Sequence, residues 1–200
     1  MVLLPFVVSS CDLFSTRTPS APDLGSTFIW TPAATPDYLL KNFNGAMAVL
    51  DATNYTKCFI GTKDSSVTGD KLAYSFTPRP GLDAGTRIIF DNWNIQSELN
   101  FMTKLKSSLV TNPKLTVTFT NQNINQVNSN SADITLDYLV QLPVQSNSAT
   151  PSSISGSMIL HVALMTTEEA TKEWRIVSWS DFAQTSGNSK TFTDLKSQIN

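Results

Sequence analysis

The sequence predicts an α+β fold: a strongly curved, mainly antiparallel sheet, with about three helices from the first half of the chain packed on its concave face. Apolar residues recur at helical spacing in the first half, whereas β-branched and aromatic residues alternate in the second half. The last of these alternating runs, 173–182, carries Trp174 and Trp179, two of the four tryptophans. Because large aromatic side chains on a strand are usually covered by another layer, we expect helices to pack over the sheet.

Composition limits the classes of function. The 200 residues are 40% hydrophobic and 15% charged, which suits one domain with a core and a tail. Serine, threonine and asparagine replace much of the usual surface charge, as is typical of extracytoplasmic proteins. The net charge of −2 and the pI near 5.3 provide no basic surface, so nucleic-acid binding is not expected.

The first residues resemble the end of a bacterial lipoprotein signal. Residues 1–8 are almost wholly apolar, and Ser9 and Ser10 then precede Cys11, which would carry the lipid. The run is too short to span a bilayer, which takes about 20 apolar residues. No Lys or Arg precedes it, so either the start of the signal is missing or the match is fortuitous. We interpret residues 1–10 as a signal segment and predict a lipid-anchored protein of the bacterial cell envelope, facing the periplasm or the surface.

A tether is predicted next. Residues 11–34 are rich in serine, threonine and proline and lack apolar periodicity, which is typical of an extended linker. Phe28, Ile29 and Trp30 interrupt this pattern, and we expect them to dock on the domain. The domain itself is predicted to cover residues 35–200.

Three helices are predicted in order. Thr35 and Pro36 suit the start of a helix over residues 36–52, whose apolar residues share one face. Thr53 or Asn54 can cap a short second helix that carries Tyr55 and Cys58. We interpret Cys58 as a buried small hydrophobic residue rather than a nucleophile, because a single buried thiol is usually inert and no partner that would activate it is evident.

Strands dominate the rest of the chain. Residues 72–76 alternate like a short strand, and residues 77–87 are predicted to form an irregular loop. Asp91 can cap a third helix, which Asn112 and Pro113 end. Four strand-like runs follow, and their succession with polar turns indicates an antiparallel meander; they cover residues 115–124, 132–143, 154–166 and 173–183.

Residues along the predicted helices and the last strand, together with the order of elements, carry a resemblance to a known fold. They are Thr35, Pro36, Leu40, Asn42, Phe43, Ala46, Tyr55, Cys58, Phe59, Trp174, Ile176, Trp179, Asp181, Phe192, Leu195 and Lys196. This pattern resembles the nuclear transport factor two-like superfamily, the cone-shaped fold of ketosteroid isomerase and polyketide-cyclase-like proteins. More narrowly, it is similar to uncharacterised bacterial lipoproteins of that superfamily. The resemblance implies a cone-shaped, cystatin-like roll over most of residues 35–200.

Enzymes of the superfamily use acids, histidines and tyrosines inside the cone, so the resemblance draws attention to four pocket candidates. His161, the only histidine, lies in an apolar strand, where a hydrogen-bonded sheet residue is the preferred interpretation over catalysis. Asp181 could act as a base, but helix capping or ion pairing is preferred. Tyr55 and Tyr74 either line a pocket or fill the core, and we favour the core. No residue is therefore assigned as catalytic.

Other site chemistry is not indicated. Asp133 and Asp137 share the strand face opposite an apolar row, which is typical of a solvated sheet face rather than of an acid–base pair. No spacing of cysteine, histidine or acidic residues suggests a metal, and no glycine-rich loop, nucleophile elbow or triad is present. We expect no cofactor.

Three hypotheses about function follow. The first is a non-enzymatic, membrane-tethered module whose cone binds a small apolar ligand or supports protein contacts. The second is an isomerase- or cyclase-type enzyme that uses His161 or Asp181 with a pocket tyrosine. The third is a homodimer through the open sheet face, which the resemblance implies. A cavity of about 300 Å³ or more would favour a ligand or an enzyme, whereas a filled cone would favour the interaction module.

Overall fold

The computed structural model describes the core of the chain. The predicted signal segment, Cys11 and most of the predicted tether lie outside the described residues, which are 28–67, 69–109, 113–144, 149–184 and 189–199. Within these residues, no helix is both long enough and apolar enough to cross a membrane.

The described residues form helices and strands in the predicted α+β order. The helices are α1 (Pro36–Ala48), α2 (Ala52–Lys57), α3 (Ala84–Ile88), α4 (Ile95–Ser108) and α5 (Phe192–Ile199). The strands are β1 (Ser65–Ser66), β2 (Ser75–Thr77), β3 (Thr116–Asn128), β4 (Ser131–Gln141), β5 (Ser153–Thr166) and β6 (Lys172–Phe182).

The four long strands form the predicted antiparallel meander, and their bounds lie close to the predicted ones. The strand order is β2-β6-β5-β4-β3, with β1 paired to the end of β5, and β2 runs parallel to β6. Strands β4 and β5 stay in register from Ser131 opposite Ala163 to Gln141 opposite Ser153. Register shifts occur in β3 after Thr120 and in β6 at Val177, the extra residue opposite the step from His161 to Val162 of β5. Such bulges bend and twist a strand, as a strongly curved sheet requires.

The inner face of the sheet packs against the helices around Trp179. This indole is fully buried and makes edge contacts with Phe43 of α1 at 5.7 Å and with Phe192 of α5 at 4.8 Å between ring centroids. Phe76 of β2 approaches it from a third side at 5.4 Å. Trp179, one of the two tryptophans that predicted a covering helical layer, is therefore in contact with helices.

Three helix bounds differ from the prediction. Thr35 caps α1 as predicted, but α1 ends at Ala48, and Leu50 adopts a left-handed conformation with φ 53°. The cap of α2 is Asp51, which accepts the N–H of Asn54, rather than Thr53 or Asn54. For α4 the cap is Asn94 and not Asp91, because the Asn94 side chain accepts two first-turn N–H groups. The starts of α2 and α4 each move to a neighbouring side chain of the same capping chemistry.

Two helices were not predicted. The interval 77–87, predicted as an irregular loop, contains most of α3, capped by Asp83. Because no α3 residue is buried, the helix has no apolar periodicity in the sequence. Helix α5 contains only eight residues, too few for a clear pattern, although Phe192 and Leu195 belong to the matched motif.

The end of the predicted tether docks on the domain, in part as expected. Phe28 and Trp30 pack against the core, whereas Ile29 is 83% exposed. Asn42 of α1 exchanges two hydrogen bonds with the backbone of Thr31, which fixes the path of the chain into the domain.

Candidate functional site

The interior of the cone contains an ion pair. Nζ of Lys196, on α5, lies 2.5 Å from Oε1 of Glu98, on α4, and neither side chain is exposed. Burying two charges costs several kcal/mol for each ion, and the geometry must be good for the pair to recover this cost. The surroundings of both groups therefore decide what the pair does.

Glu98 is held by three neutral donors as well as by the ammonium group. The Tyr74 hydroxyl donates to Oε1 at 2.6 Å, and the Trp93 indole N–H donates to the same oxygen at 2.8 Å. The Tyr55 hydroxyl donates to Oε2 at 2.8 Å. Both carboxylate oxygens are satisfied, so the carboxylate is stable without water. Burial, and secondarily the negative charge of Glu98, raises the pKa of both tyrosines well above the usual range, which keeps them protonated as donors.

Aromatic rings surround the Lys196 ammonium group. The ring centroids of Phe76 and Trp179 lie 3.8 and 3.9 Å from Nζ, and that of Trp93 lies at 5.2 Å. A cation over an aromatic face is attracted by the ring quadrupole, most strongly where water is absent. Burial lowers the pKa of Lys196, while the Glu98 carboxylate opposes this shift. We call Lys196, Glu98, Tyr55, Tyr74 and Trp93 the inner polar cluster.

A second buried network attaches α5 to the sheet. Asp181, at the end of β6, accepts the Tyr138 hydroxyl at 2.7 Å and the backbone N–H of Thr193 at 2.8 Å. The Thr193 hydroxyl donates to the same carboxylate, and Tyr138 in turn accepts the N–H of Phe192. Asp181 thus binds a first-turn N–H of α5, which is the capping role preferred in the sequence analysis. Burial raises the pKa of Tyr138 far above its usual range.

A glycine makes this network possible. Gly156 lies directly opposite Tyr138 in the sheet. A Cβ atom built on it would lie 2.5 Å from the Tyr138 hydroxyl oxygen and 2.5 Å from the backbone oxygen of Phe182. A larger residue at this position would push Tyr138 away from Asp181.

The four pocket candidates do not form one site. Tyr55 and Tyr74 meet on Glu98, and Asp181 lies in the neighbouring network under α5. His161 lies on the opposite, outer face of the sheet, where its Nδ1 is 2.7 Å from Oδ1 of Asp133 and its side chain is 41% exposed. The alternation of β5 explains this placement, because the residues on either side of His161 are buried.

Glu98 and Lys196 are the site residues that the sequence analysis did not single out. Glu98 lies within the predicted third helix, at helical spacing from the apolar Met102 and Leu105, and Lys196 belongs to the residues that carry the family resemblance. A charged residue on the buried stripe of an amphipathic helix is the signal that could have found Glu98. Nothing in the sequence pairs it with Lys196.

The inner polar cluster is saturated rather than poised for acid–base chemistry. The carboxylate accepts four donors, and rings cover the ammonium group on several sides. A general acid or base must instead reach a substrate proton.

Two further buried groups lie outside this cluster. The Trp179 indole N–H is buried without a hydrogen-bond partner among the described residues. Cys58 is also buried, and burial raises the pKa of its thiol far above the usual range, which makes it a poor nucleophile.

The outer face of the sheet has a different character. Leu139, Ile159 and Phe182 are 42%, 39% and 36% exposed, and their places in the strand alternation put all three on the outer face. A shallow hollow of about 420 Å³ lies beside Ile159 and Phe182. At its edge, Asp137 accepts hydrogen bonds from Ser157 at 2.6 Å and from Asn121 at 2.7 Å. We call Leu139, Ile159, Phe182, Asp137 and His161 the outer-face patch.

Metal binding finds no support in the part of the chain that the structure describes. It contains no group of three or more histidine, cysteine, aspartate or glutamate side chains that could hold a metal ion.

Comparison with known proteins supports the fold. No model of a protein family matches the sequence, and no curated protein matches it either. Among solved structures, a putative aromatic ring hydroxylase from Novosphingobium aromaticivorans superposes with a TM-score of 0.51 at 10% identity, over 79% of this chain and 92% of that chain. A putative scytalone dehydratase from the same organism gives a TM-score of 0.51 at 8% identity, over 78% of this chain and 88% of that chain.

A nuclear transport factor two-like protein of unknown function in nutrient uptake from Rhodospirillum rubrum gives a TM-score of 0.49 at 8% identity, over 75% of this chain and 98% of that chain. The chain therefore shares the curved α+β fold of the two structures that superpose with a TM-score of 0.51, in agreement with the fold that the sequence resemblance implied. At these identities the likeness concerns the fold alone.

Proposed function

We propose that the protein is a non-enzymatic interaction module, tethered to the bacterial cell envelope through a lipid on Cys11, and that its outer-face patch binds a partner protein. The observation that carries this proposal is the filling of the cone by the inner polar cluster. Lys196 and Glu98 occupy the interior where a ligand of this fold would need space, and their side chains are fully buried. A binding cavity normally combines a wall of apolar groups with open volume.

The outer-face patch supports the choice of surface. Three exposed apolar side chains next to hydrogen-bonding groups match the usual composition of a protein interface, with an apolar centre and a polar rim. A partner with complementary apolar residues would bury Ile159 and Phe182 and leave Asp137 and His161 at the rim.

The predicted tether supports the location. Trp30 lies under the Lys57 ammonium group at 4.7 Å and near Arg175 at 5.7 Å, so the chain joins the domain at a fixed point. A lipid on Cys11 would then hold the domain near the membrane by way of the residues before Phe28.

An isomerase- or cyclase-type activity is less well supported than protein binding. The similar structures named as a hydroxylase and a dehydratase share only the fold, and His161 does not reach the cone. A small apolar ligand inside the cone would have to displace the rings around Lys196.

Site-specific photo-crosslinking in the bacterium that makes the protein tests the proposed surface. A photoreactive amino acid at Ile159 is expected to give a discrete protein adduct, whereas the same amino acid at the exposed Lys106 of α4 should not. Equal labelling at both positions, or no adduct at Ile159, would contradict the proposal.

A separate fractionation experiment tests the tether. The Cys11→Ser variant should leave the membrane fraction and enter the soluble fraction of the envelope, while Cys58→Ser, which changes only a buried thiol, should stay with the membrane. Membrane retention of Cys11→Ser would exclude lipidation at this residue as the anchor.

A further inference from the structure

Strand β3 is the outermost long strand of the sheet, and its free edge is unusual. Among the described residues, β3 pairs only with β4, so its other edge faces outward. Its 13 residues contain no charged residue and no proline. Natural edge strands commonly carry lysine or proline to prevent pairing with another chain. The β3 strand contains neither lysine nor proline along its full length.

A bulge divides the strand and leaves one regular half. The register shifts after Thr120, and Asn121 has a left-handed conformation with φ 50°. Before the bulge, Thr116 to Thr120 pair with β4 without interruption. A new strand could therefore add in regular register beside these five residues.

These five residues are complementary to themselves. If two copies pair antiparallel with Thr118 opposite its own counterpart, Val117 lies opposite Phe119 and Thr116 lies opposite Thr120. Pairs of an aromatic and a β-branched residue and pairs of threonines are both favourable across strands. Threonines 116, 118 and 120 are exposed on one face, while Val117 and Phe119 are half-buried on the other. No charges oppose each other in this pairing.

A groove next to the edge can receive the added side chains. It lies between α1 and β3, has a volume of about 570 Å³, and includes Leu40, Val117 and Phe119 in its lining. Phe119 stacks on the core residue Phe43 at 6.2 Å between ring centroids. The Val117 and Phe119 side chains of a second copy would extend this apolar row over the groove.

We infer that the β3 edge, from Thr116 to Thr120, binds the same edge of a second copy of the chain in a two-fold antiparallel pairing. The two sheets then form one continuous sheet, and the contact is isologous, with the same residues on both sides. This inference goes beyond the proposed function, because it leaves the outer-face patch of each copy free and places two patches on one sheet. It differs from the homodimer through the open sheet face that the sequence resemblance implied.

Charge at the two-fold axis tests the pairing. By light scattering and analytical ultracentrifugation in reducing buffer, the full chain should have about twice the mass of its 21.9 kDa monomer. Thr118→Lys places two ammonium groups opposite each other and should weaken the dimer at least about tenfold, and Thr118→Glu should do the same. An equimolar mixture of the two variants should restore the dimer, because opposite charges then meet at the axis.

Two controls separate the possible outcomes. Thr118 is exposed in the single chain, so the circular dichroism of both variants should match that of the wild type. Ile159→Lys, on the outer face, should leave the dimer intact. A monomeric wild type would overturn the inference, as would a dimer that Ile159→Lys breaks and Thr118→Lys does not. Neither of these outcomes affects the crosslinking test of partner binding at Ile159.

Discussion

The ammonium group of Lys196 lies 2.5 Å from the carboxylate of Glu98, although 98 residues separate the two in the chain. The pair joins α4 to α5 inside the cone, and aromatic side chains surround it, among them Tyr55, Tyr74, Trp93, Phe76 and Trp179. The polar interior is thus a structural centre to which the ends of several elements are attached.

Breaking the pair should destabilise the protein strongly. Lys196→Met leaves the Glu98 carboxylate buried without a counter-ion and is expected to lower the free energy of unfolding by about 3–5 kcal/mol. The double variant Glu98→Gln/Lys196→Met should be more stable than Lys196→Met alone, because a neutral amide can still accept from a tyrosine. Urea unfolding measures both effects. Lys106→Met, exposed on the same helix as Glu98, should change stability by no more than about 0.5 kcal/mol. Additive losses in the double variant would contradict coupling between the two residues.

Alkaline pH should reveal the buried thiol. The folded-state pKa of Cys58 is raised, so above the ordinary thiol pKa of about 8.5 the unfolded chain loses a proton that the folded chain keeps. The contribution of this raised pKa to the free energy of unfolding is complete below about pH 8.5. Above that pH it decreases by about 1.4 kcal/mol for each pH unit. Urea unfolding between pH 7 and pH 10 measures this slope. Cys58→Ala should lack this component, and equal slopes for both proteins would show that the thiol ionises freely in the fold.

Gly156→Ala should disrupt the network under α5. The added methyl group would meet the Tyr138 hydroxyl and the backbone of Phe182, so we expect a loss of about 1–3 kcal/mol, as for other overpacked sites. Tyr138→Phe in the same chain should recover only part of this loss, since the backbone contact remains. Ser153→Ala, at an exposed position of the same strand, is the matched control for thermal unfolding. Unchanged stability of Gly156→Ala would mean that Tyr138 can move without cost.

His161 should matter little for stability. Its contact with Asp133 is a partly exposed pair, and such pairs usually contribute about 0–1 kcal/mol. His161→Ala should therefore lower the free energy of unfolding by less than about 1 kcal/mol in chemical denaturation. A loss of several kcal/mol would indicate that the ring packs more tightly than its exposure implies.

The fold could be predicted largely because its strands have simple patterns. Along β4 and β5 about every second residue is buried in the core. This alternation is visible in the sequence, and it predicted the bounds of both strands to within a few residues. Helix α3 could not be predicted, because it buries no residue. The starts of α2 and α4 were misplaced, because several neighbouring residues have equivalent capping chemistry.

The candidate site could be predicted only in part. Tyr55 and Tyr74 were identified as core or pocket residues, and both lie in the inner polar cluster. Their common partner, Glu98, was not recognised, because a single glutamate in a helix is usually a surface residue. The face on which His161 lies depends on the register of β5, which one apolar run does not determine.

The distance in sequence between Glu98 and Lys196 also sets an order of events during synthesis. The helix that carries the carboxylate leaves the ribosome long before the lysine is made, and until then the Glu98 carboxylate lacks the ammonium group that pairs with it in the folded domain. A domain that cannot close early remains unfolded for longer during synthesis. A chain that stops before Phe192 is expected to remain sensitive to protease, whereas one that includes α5 should resist it.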